Sequence, residues 1–194
     1  MLVEKTQIMD QKAMQRAITR ISFEILERNK GGSDLCIIGI MSRGVELAQR
    51  IGAKISEVEG APVEVGFLDI TAFRDDIQSQ NLPADPAGQS QIPFSIENKK
   101  VVLVDDVIYT GRTIRAAMDA LLAMGRARSI QLAVLIDRGH RELPIRADYV
   151  GKNLPTSRTE SVEVMVVERD GEDRVVIAQK EPKADRSQPE QDEE

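Results

Sequence analysis

Apolar residues along the chain follow two spacings, and their alternation predicts the architecture. Met14, Ala17, Ile18, Ile21 and Ile25 recur every three to four residues, the spacing of one helix face. Asp10 is placed to cap that helix, which runs to about Asn29 and is closed by Gly31-Gly32. Residues 35–40 (LCIIGI) are instead continuously apolar, as in a strand covered on both faces. A polar turn, Met41-Ser42-Arg43-Gly44, leads into a helix near 45–58, and 63–68 reads as a second strand. Residues 100–104 (KVVLV) form the third buried strand, followed by a helix to about Met124 that Gly125 stops, and 130–136 form the fourth. This alternation implies a three-layer α/β fold on a mainly parallel sheet. The proline-containing stretch 137–158 is expected to leave that sheet, and 162–167 with 174–178, separated by Asp170-Gly171, to form a C-terminal β-hairpin. Residues 71–95 are rich in Asp, Gln, Pro and Gly without periodicity; so long a loop is usually functional or mobile.

Composition narrows the class. The 194 residues suit one folded unit over 1–179, and 41% hydrophobic content supplies its core. Only 3% of residues are aromatic and none is Trp, which argues against a stacking platform for single-stranded nucleic acid. No apolar run is long enough to span a membrane, and the opening MLVEKTQIMD lacks a signal core, so a cytoplasmic location is expected. Cys36 is the single cysteine, which rules out an intrachain disulfide or a multi-thiolate zinc site. Of the net charge of −6, residues 180–194 carry three basic and six acidic groups and are expected to be a disordered acidic tail. Residues 10–30 and 137–158 each hold five basic and three acidic groups, local excesses that permit a polyanion site. Lys12, Arg16 and Arg20, spaced by four, also fit an ordinary solvated helix face.

Ligands of open parallel sheets bind beyond the carboxyl ends of the strands, where three polar segments fall: 41–44, 105–113 and 137–141. In the middle one a hydrophobic strand delivers Asp105 and Asp106, then a short turn whose Thr110, Gly111 and Thr113 open the next helix. Unpaired amides at a helix start, with glycine allowing close approach, seat a phosphate dianion. The adjacent acids would repel that dianion, so they suit neutral hydroxyls or developing positive charge; a sugar phosphate satisfies both. A simple helix cap, or a phospho-acceptor receiver domain, are the alternatives. Neither GxxxxGK followed by Ser or Thr nor GxGxxG occurs, which disfavours nucleotide triphosphatases and dinucleotide enzymes.

The segment 101–113, VVLVDDVIYTGRT, resembles the signature of the type I phosphoribosyltransferases, which bind phosphoribosyl pyrophosphate (PRPP). More narrowly, 17–30, 69–76 (DITAFRDD), 115–121 and 131–157 (QLAVLIDRGHRELPIRADYVGKNLPTS) are similar to the bifunctional pyrimidine operon attenuator/uracil phosphoribosyltransferase family, over about 11–177. This resemblance implies the type I phosphoribosyltransferase fold with a small hood. It implies that Thr110, Gly111, Arg112 and Thr113 hold the 5′-phosphate, with Val107, Ile108 and Tyr109 in the same nucleotide-binding run, while Asp105 and Asp106 face the ribose. Ser42 and Arg43 match the pyrophosphate loop, with a cis peptide expected between them; Arg43 joins the two acids as a catalytic residue. Residues 71–95 match a mobile lid from which Arg74 reaches the pyrophosphate, and Arg138 and Val162 lie by the uracil base. Mg²⁺ is expected on the substrate, with no ligands directly from the protein. RNA contacts are implied at Thr19, Arg20, His140, Arg141, Arg146 and Lys152, in a homodimer or larger assembly that binds a leader hairpin and responds to UMP and UTP. A non-catalytic RNA-binding regulator, or an enzyme for hypoxanthine or orotate, are the competing readings.

Overall fold

A computed structural model describes residues 2–76 and 88–180. The expected acidic tail beyond Lys180, and the middle of the expected lid, lie outside these residues. In chain order the elements are β1 (Leu2–Met9), α1 (Gln11–Asn29), β2 (Leu35–Ile40), α2 (Gly44–Glu59), β3 (Glu64–Leu68), β4 (Lys100–Ile108), α3 (Arg112–Met124), β5 (Ser129–Asp137), β6 (Tyr149–Asn153), β7 (Glu160–Met165), the short α4 (Val167–Asp170) and β8 (Arg174–Lys180). A single 3₁₀ turn, Thr71–Phe73, follows β3. No helix among the described residues is long and apolar enough to cross a membrane.

The central sheet has the order β3-β2-β4-β5-β6, every neighbouring pair parallel. Alternate residues of its strands feed two cores, as the continuously apolar strands require. On one side Ile37, Val102 and Val104 pack with Ile21 and Ile25 of α1 and Leu47, Ile51 and Ile55 of α2. On the other, Cys36, Ile38, Val101 and Leu103 pack with Ile114, Ala117 and Leu121 of α3. The Asp10 carboxylate accepts the Ala13 amide at 2.7 Å, which fixes the start of α1. At its other end Lys30 turns left-handed (φ 57°), with Gly31 following at φ 103°.

Two strands depart from the sequence reading. Residues 149–153 do not leave the sheet: they form β6, its fifth strand, paired parallel to β5. Only Tyr149 and Val150 are large apolar residues there, because a sheet-edge strand needs little apolar surface. The C-terminal hairpin β7–β8 gains β1 on its outer side, making a three-stranded antiparallel hood of order β1-β8-β7. Irregular register between Glu4 and Thr6, and again between Gln7 and Met9, hides this strand from a strict two-residue pattern.

The 41–44 turn sits tight against the sheet. A Cβ on Gly44 would lie 2.7 Å from the Val104 carbonyl oxygen, so glycine is what lets α2 begin directly over β4. The expected cis bond at Ser42–Arg43 is absent; every peptide among the described residues is trans, and the reversal is made instead by Ser42 at φ 140°.

Candidate active site

The carboxyl ends of β2, β3 and β4 open onto a cavity of about 630 Å³. Met41 and Ser42 line it from the first turn, Asp69, Thr71 and Arg74 from the segment after β3, and Asp105, Asp106, Val107 and Thr113 from β4 and α3. The acids are not in a loop: β4 continues to Ile108, with Asp105 opposite Val134 and Val107 opposite Ile136. The strand therefore holds the doublet rigidly at the cavity wall.

Asp105 is almost fully buried and accepts the Asp106 amide at 3.0 Å; Asp106 in turn accepts the Val107 amide at 2.8 Å. Burial raises the Asp105 carboxyl well above the usual range, and the adjacent Asp106 charge raises it further. Burial raises Asp106 too, against the pull of neighbouring amides and of Arg43. The doublet thus holds a proton more readily than free carboxyls do.

Beyond it the chain turns through Tyr109, Thr110 and Gly111, the last at φ 95°, into α3. The first bond of the helix runs from the Arg115 amide to the Gly111 carbonyl; ahead of it the Arg112 amide donates to the Thr110 hydroxyl at 3.4 Å, and those of Thr113 and Ile114 have no helical partner. The Thr110 carbonyl accepts the amides of Glu142 and Leu143, which ties the 138–145 segment to the outside of this turn.

The cationic side chains around the cavity are already engaged. Arg43 makes a two-pronged pair with Asp170 of the hood, Nε to Oδ2 at 3.2 Å and Nη2 to Oδ1 at 2.9 Å. Arg74 pairs in the same way with Asp76, and Arg112 bridges Asp75 and Glu142. Asp69, which the sequence reading did not single out, accepts the amide and hydroxyl of Thr71 and the amide of Gln89, fastening together the two described ends of the 71–95 loop. Its Asp-x-Thr spacing was a readable sign of such a turn.

Arg138 is buried at the end of β5, its guanidinium 4.1 Å above the Tyr109 ring. It donates to the Thr156 hydroxyl and to the carbonyls of Ser157 and Glu160. Val162, on β7, packs partly buried against the α1–α2 core and pairs with Ile177. Tyr109 thus stands between the turn into α3 and Arg138, with the His140 ring edge-on to it at 5.8 Å.

The residues expected at RNA divide into two groups. Thr19 and Arg20 lie on α1, and Arg20 donates to the Val150 and Gly151 carbonyls of β6, next to the exposed Lys152. Arg146 is exposed in the segment leading to β6. Arg141 instead donates to the carbonyls of Ile145, Tyr109 and Gly139 and to Asp137, and His140 bonds the Thr156 carbonyl. Those two side chains organise their own loop beside Tyr109.

The arrangement of acids, helix end and hood agrees with the comparisons. Residues 4–169 match the phosphoribosyl transferase domain family. The chain is 57% identical over 176 residues to the bifunctional protein PyrR of Clostridioides difficile (strain 630), covering 91% of this chain and 99% of that protein. It is 59% identical over 175 residues to the bifunctional protein PyrR of Pelotomaculum thermopropionicum, covering 90% and 96%. Its fold is similar to that of the hypoxanthine phosphoribosyltransferase of Trypanosoma cruzi, with a TM-score of 0.69, 18% identity, and 92% and 98% of the two chains covered. On these grounds the chain belongs to the bifunctional PyrR proteins of the phosphoribosyl transferase family.

Proposed function

We propose that this chain transfers phosphoribosyl from PRPP to uracil, giving UMP and pyrophosphate, and that it also binds a pyrimidine-operon leader RNA hairpin under the control of uridine nucleotides. The reading rests on one observation above all: the acid doublet, held in β4, and Thr113 at the start of α3 line the same cavity. The amides of Thr113 and Ile114 and the hydroxyls of Thr110 and Thr113 receive the 5′-phosphate. Asp105 and Asp106 then lie along the ribose. As the base nitrogen approaches and the bond to pyrophosphate lengthens, positive charge grows at the anomeric carbon. Two fixed carboxylates stabilise that charge more than the neutral ground state.

Burial raises both carboxyls, so positive charge developing beside them favours their ionised form. Each spends one oxygen on a backbone amide and keeps the other free, a donor set that fits the waters of a hydrated Mg²⁺ carried mainly by substrate oxygens. Asp105 and Asp106 would hold the waters of such an ion, which would supply neutralising charge for the leaving diphosphate. Arg43 and Arg74 supply the remaining cationic donors, and Tyr109 with Arg138 forms the wall nearest the base. Val162 contributes backbone from the hood.

For RNA, the supporting observation is that the two locally basic segments meet. Arg20 ties α1 to β6, placing exposed Lys12 and Arg16 on the helix that flanks Lys152. Phe23, half exposed on the same helix face, adds an aromatic ring to it. Homodimerisation and a cytoplasmic setting accompany this reading. The decisive experiment is conversion of radiolabelled uracil with PRPP and Mg²⁺, alongside a gel shift with the cognate hairpin with and without UMP. Loss of UMP formation in Asp105→Asn supports catalysis at this cavity. An inactive wild type that still shifts the hairpin supports the purely regulatory reading.

A further inference from the structure

α2 and the hood meet through four ion pairs that lie in sequence along the helix. Arg43, Glu46 and Arg50 fall on one face of its first turns and meet Asp170, Arg169 and the pair Glu168 and Asp173. The pairs made by Glu46 and Arg50 involve no residue that lines the cavity. Arg43 is nearer: it follows the cavity-lining Ser42, and its charge pulls against the burial that raises the half-buried Asp106 carboxyl.

The geometry of that first pair is particular. Asp170 grips the Nε–Nη2 edge of the guanidinium, and no group among the described residues accepts from Nη1. Asp170 is itself held, since its Oδ2 accepts the Val166 amide at 2.9 Å. A guanidinium fixed along one edge loses its rotamer freedom before a ligand arrives and presents its remaining donors in a set direction. A partly exposed pair of this kind adds little stability. We propose that Asp170 of the hood is a positioning residue for Arg43, orienting its free donors toward the diphosphate of PRPP or pyrophosphate. The inference rests on the transferase reading above, and it assigns the hood a part in diphosphate binding.

The test is Asp170→Asn, which keeps the side-chain volume and removes the charge. KM for PRPP, and for pyrophosphate in the reverse reaction, should rise on the order of tenfold, with KM for uracil unchanged. In an Arg43→Ala background the same substitution should add nothing, because the two residues act as one unit. Glu168→Gln, which weakens the hood contact away from the cavity, should leave the PRPP KM where it is. Equal effects of Glu168→Gln and Asp170→Asn, additive effects with Arg43→Ala, or tighter PRPP binding by Asp170→Asn would each overturn the proposal. The last outcome would make Asp170 a competitor of the ligand. Titration calorimetry of PRPP with Mg²⁺ gives the same comparison without turnover. A wild type that binds PRPP but makes no UMP defeats the transferase reading alone; one that does not bind PRPP defeats both.

Discussion

Gly44→Ala tests whether the 41–44 turn is held by direct seating on β4. Two effects oppose each other. Alanine in place of glycine at a helical position gains about 0.5–1 kcal/mol by restricting the unfolded chain, less in a first turn. Against this, the new Cβ would lie 2.7 Å from the Val104 carbonyl oxygen and 3.4 Å from the Asp105 Cα. Both are backbone atoms of a strand buried in the sheet centre, so no side chain can swing aside. Reaching ordinary contact near 3.4 Å requires the start of α2 to lift by about 0.7 Å. Overpacking of this sort costs roughly 1–3 kcal/mol, so the net effect is a loss of about 1–2 kcal/mol, or a Tm lower by about 2–8 °C. The functional loss should be larger than the stability loss, because the same movement carries Ser42 and Arg43 away from the acids. A displacement approaching 1 Å costs roughly 10- to 100-fold in kcat/KM for PRPP. Urea unfolding and steady-state UMP formation measure the two effects. A variant as stable as the wild type, with kcat/KM for PRPP within about twofold, refutes the seating argument.

Asp105→Asn should abolish UMP formation and yet stabilise the fold at neutral pH. The native carboxyl binds its proton more tightly than the unfolded one, so its contribution is favourable at low pH and is lost as pH rises through the folded pKa. The stability gain of the variant should therefore shrink as pH falls toward the unfolded carboxyl range, and a gain that grows on acidification contradicts the assignment. Arg138→Lys should lower stability by about 2 kcal/mol in thermal unfolding, since one ammonium cannot serve Thr156, Ser157 and Glu160 while covering the Tyr109 ring; an unchanged Tm would contradict that. Cys36, whose thiol is pushed up to about 12 by burial, should resist iodoacetamide in the native state at pH 8 and react on unfolding; rapid native labelling would be inconsistent with its place in β2. If Lys12, Arg16, Arg146 and Lys152 supply the free cations for RNA, the log–log salt slope of hairpin binding should be about −3 per protomer, and a slope near zero would remove phosphate contacts from the account.

The sequence made some features plain and concealed others, for reasons visible in the packing. Residues 35–40 and 101–104 are apolar on both faces because helices cover both sides of the sheet there, so the strands declare themselves. β6 is a sheet edge whose Lys152 and Asn153 face solvent, and its YVGKN carries too little hydrophobic pattern to separate it from a loop. The acids were legible as chemistry but not as strand: their parallel partners on β5 are supplied by residues about thirty positions away, which no local pattern reveals. The turn at Gly111 and the helix start after it were legible because both are set by local sequence. The role of Asp170 was not, since its partner lies 127 residues earlier and only the folding of the hood against α2 brings the two together.

That distinction bears on how charge should be read in an acidic protein. The basic residues most readily assigned to ligands from sequence are Arg20, Arg43, Arg74, Arg112, Arg138 and Arg141, and each is already bonded to a carboxylate, a carbonyl or both. With 32 acidic groups against 26 basic ones, a guanidinium has many internal acceptors to choose from. An arginine held in this way can still meet a ligand, but only through the donors its partner leaves free or by exchanging one anion for another. The two cases separate experimentally: removal of the internal carboxylate weakens ligand binding in the first and strengthens it in the second. Arg43 has one edge held and one set of donors free, which is the first case; Arg74, paired with exposed Asp76 beside the cavity, is open to the second. Arg43 and Arg74 therefore differ in kind: the first guanidinium is preorganised by its carboxylate, and the second is free to exchange its own for another anion.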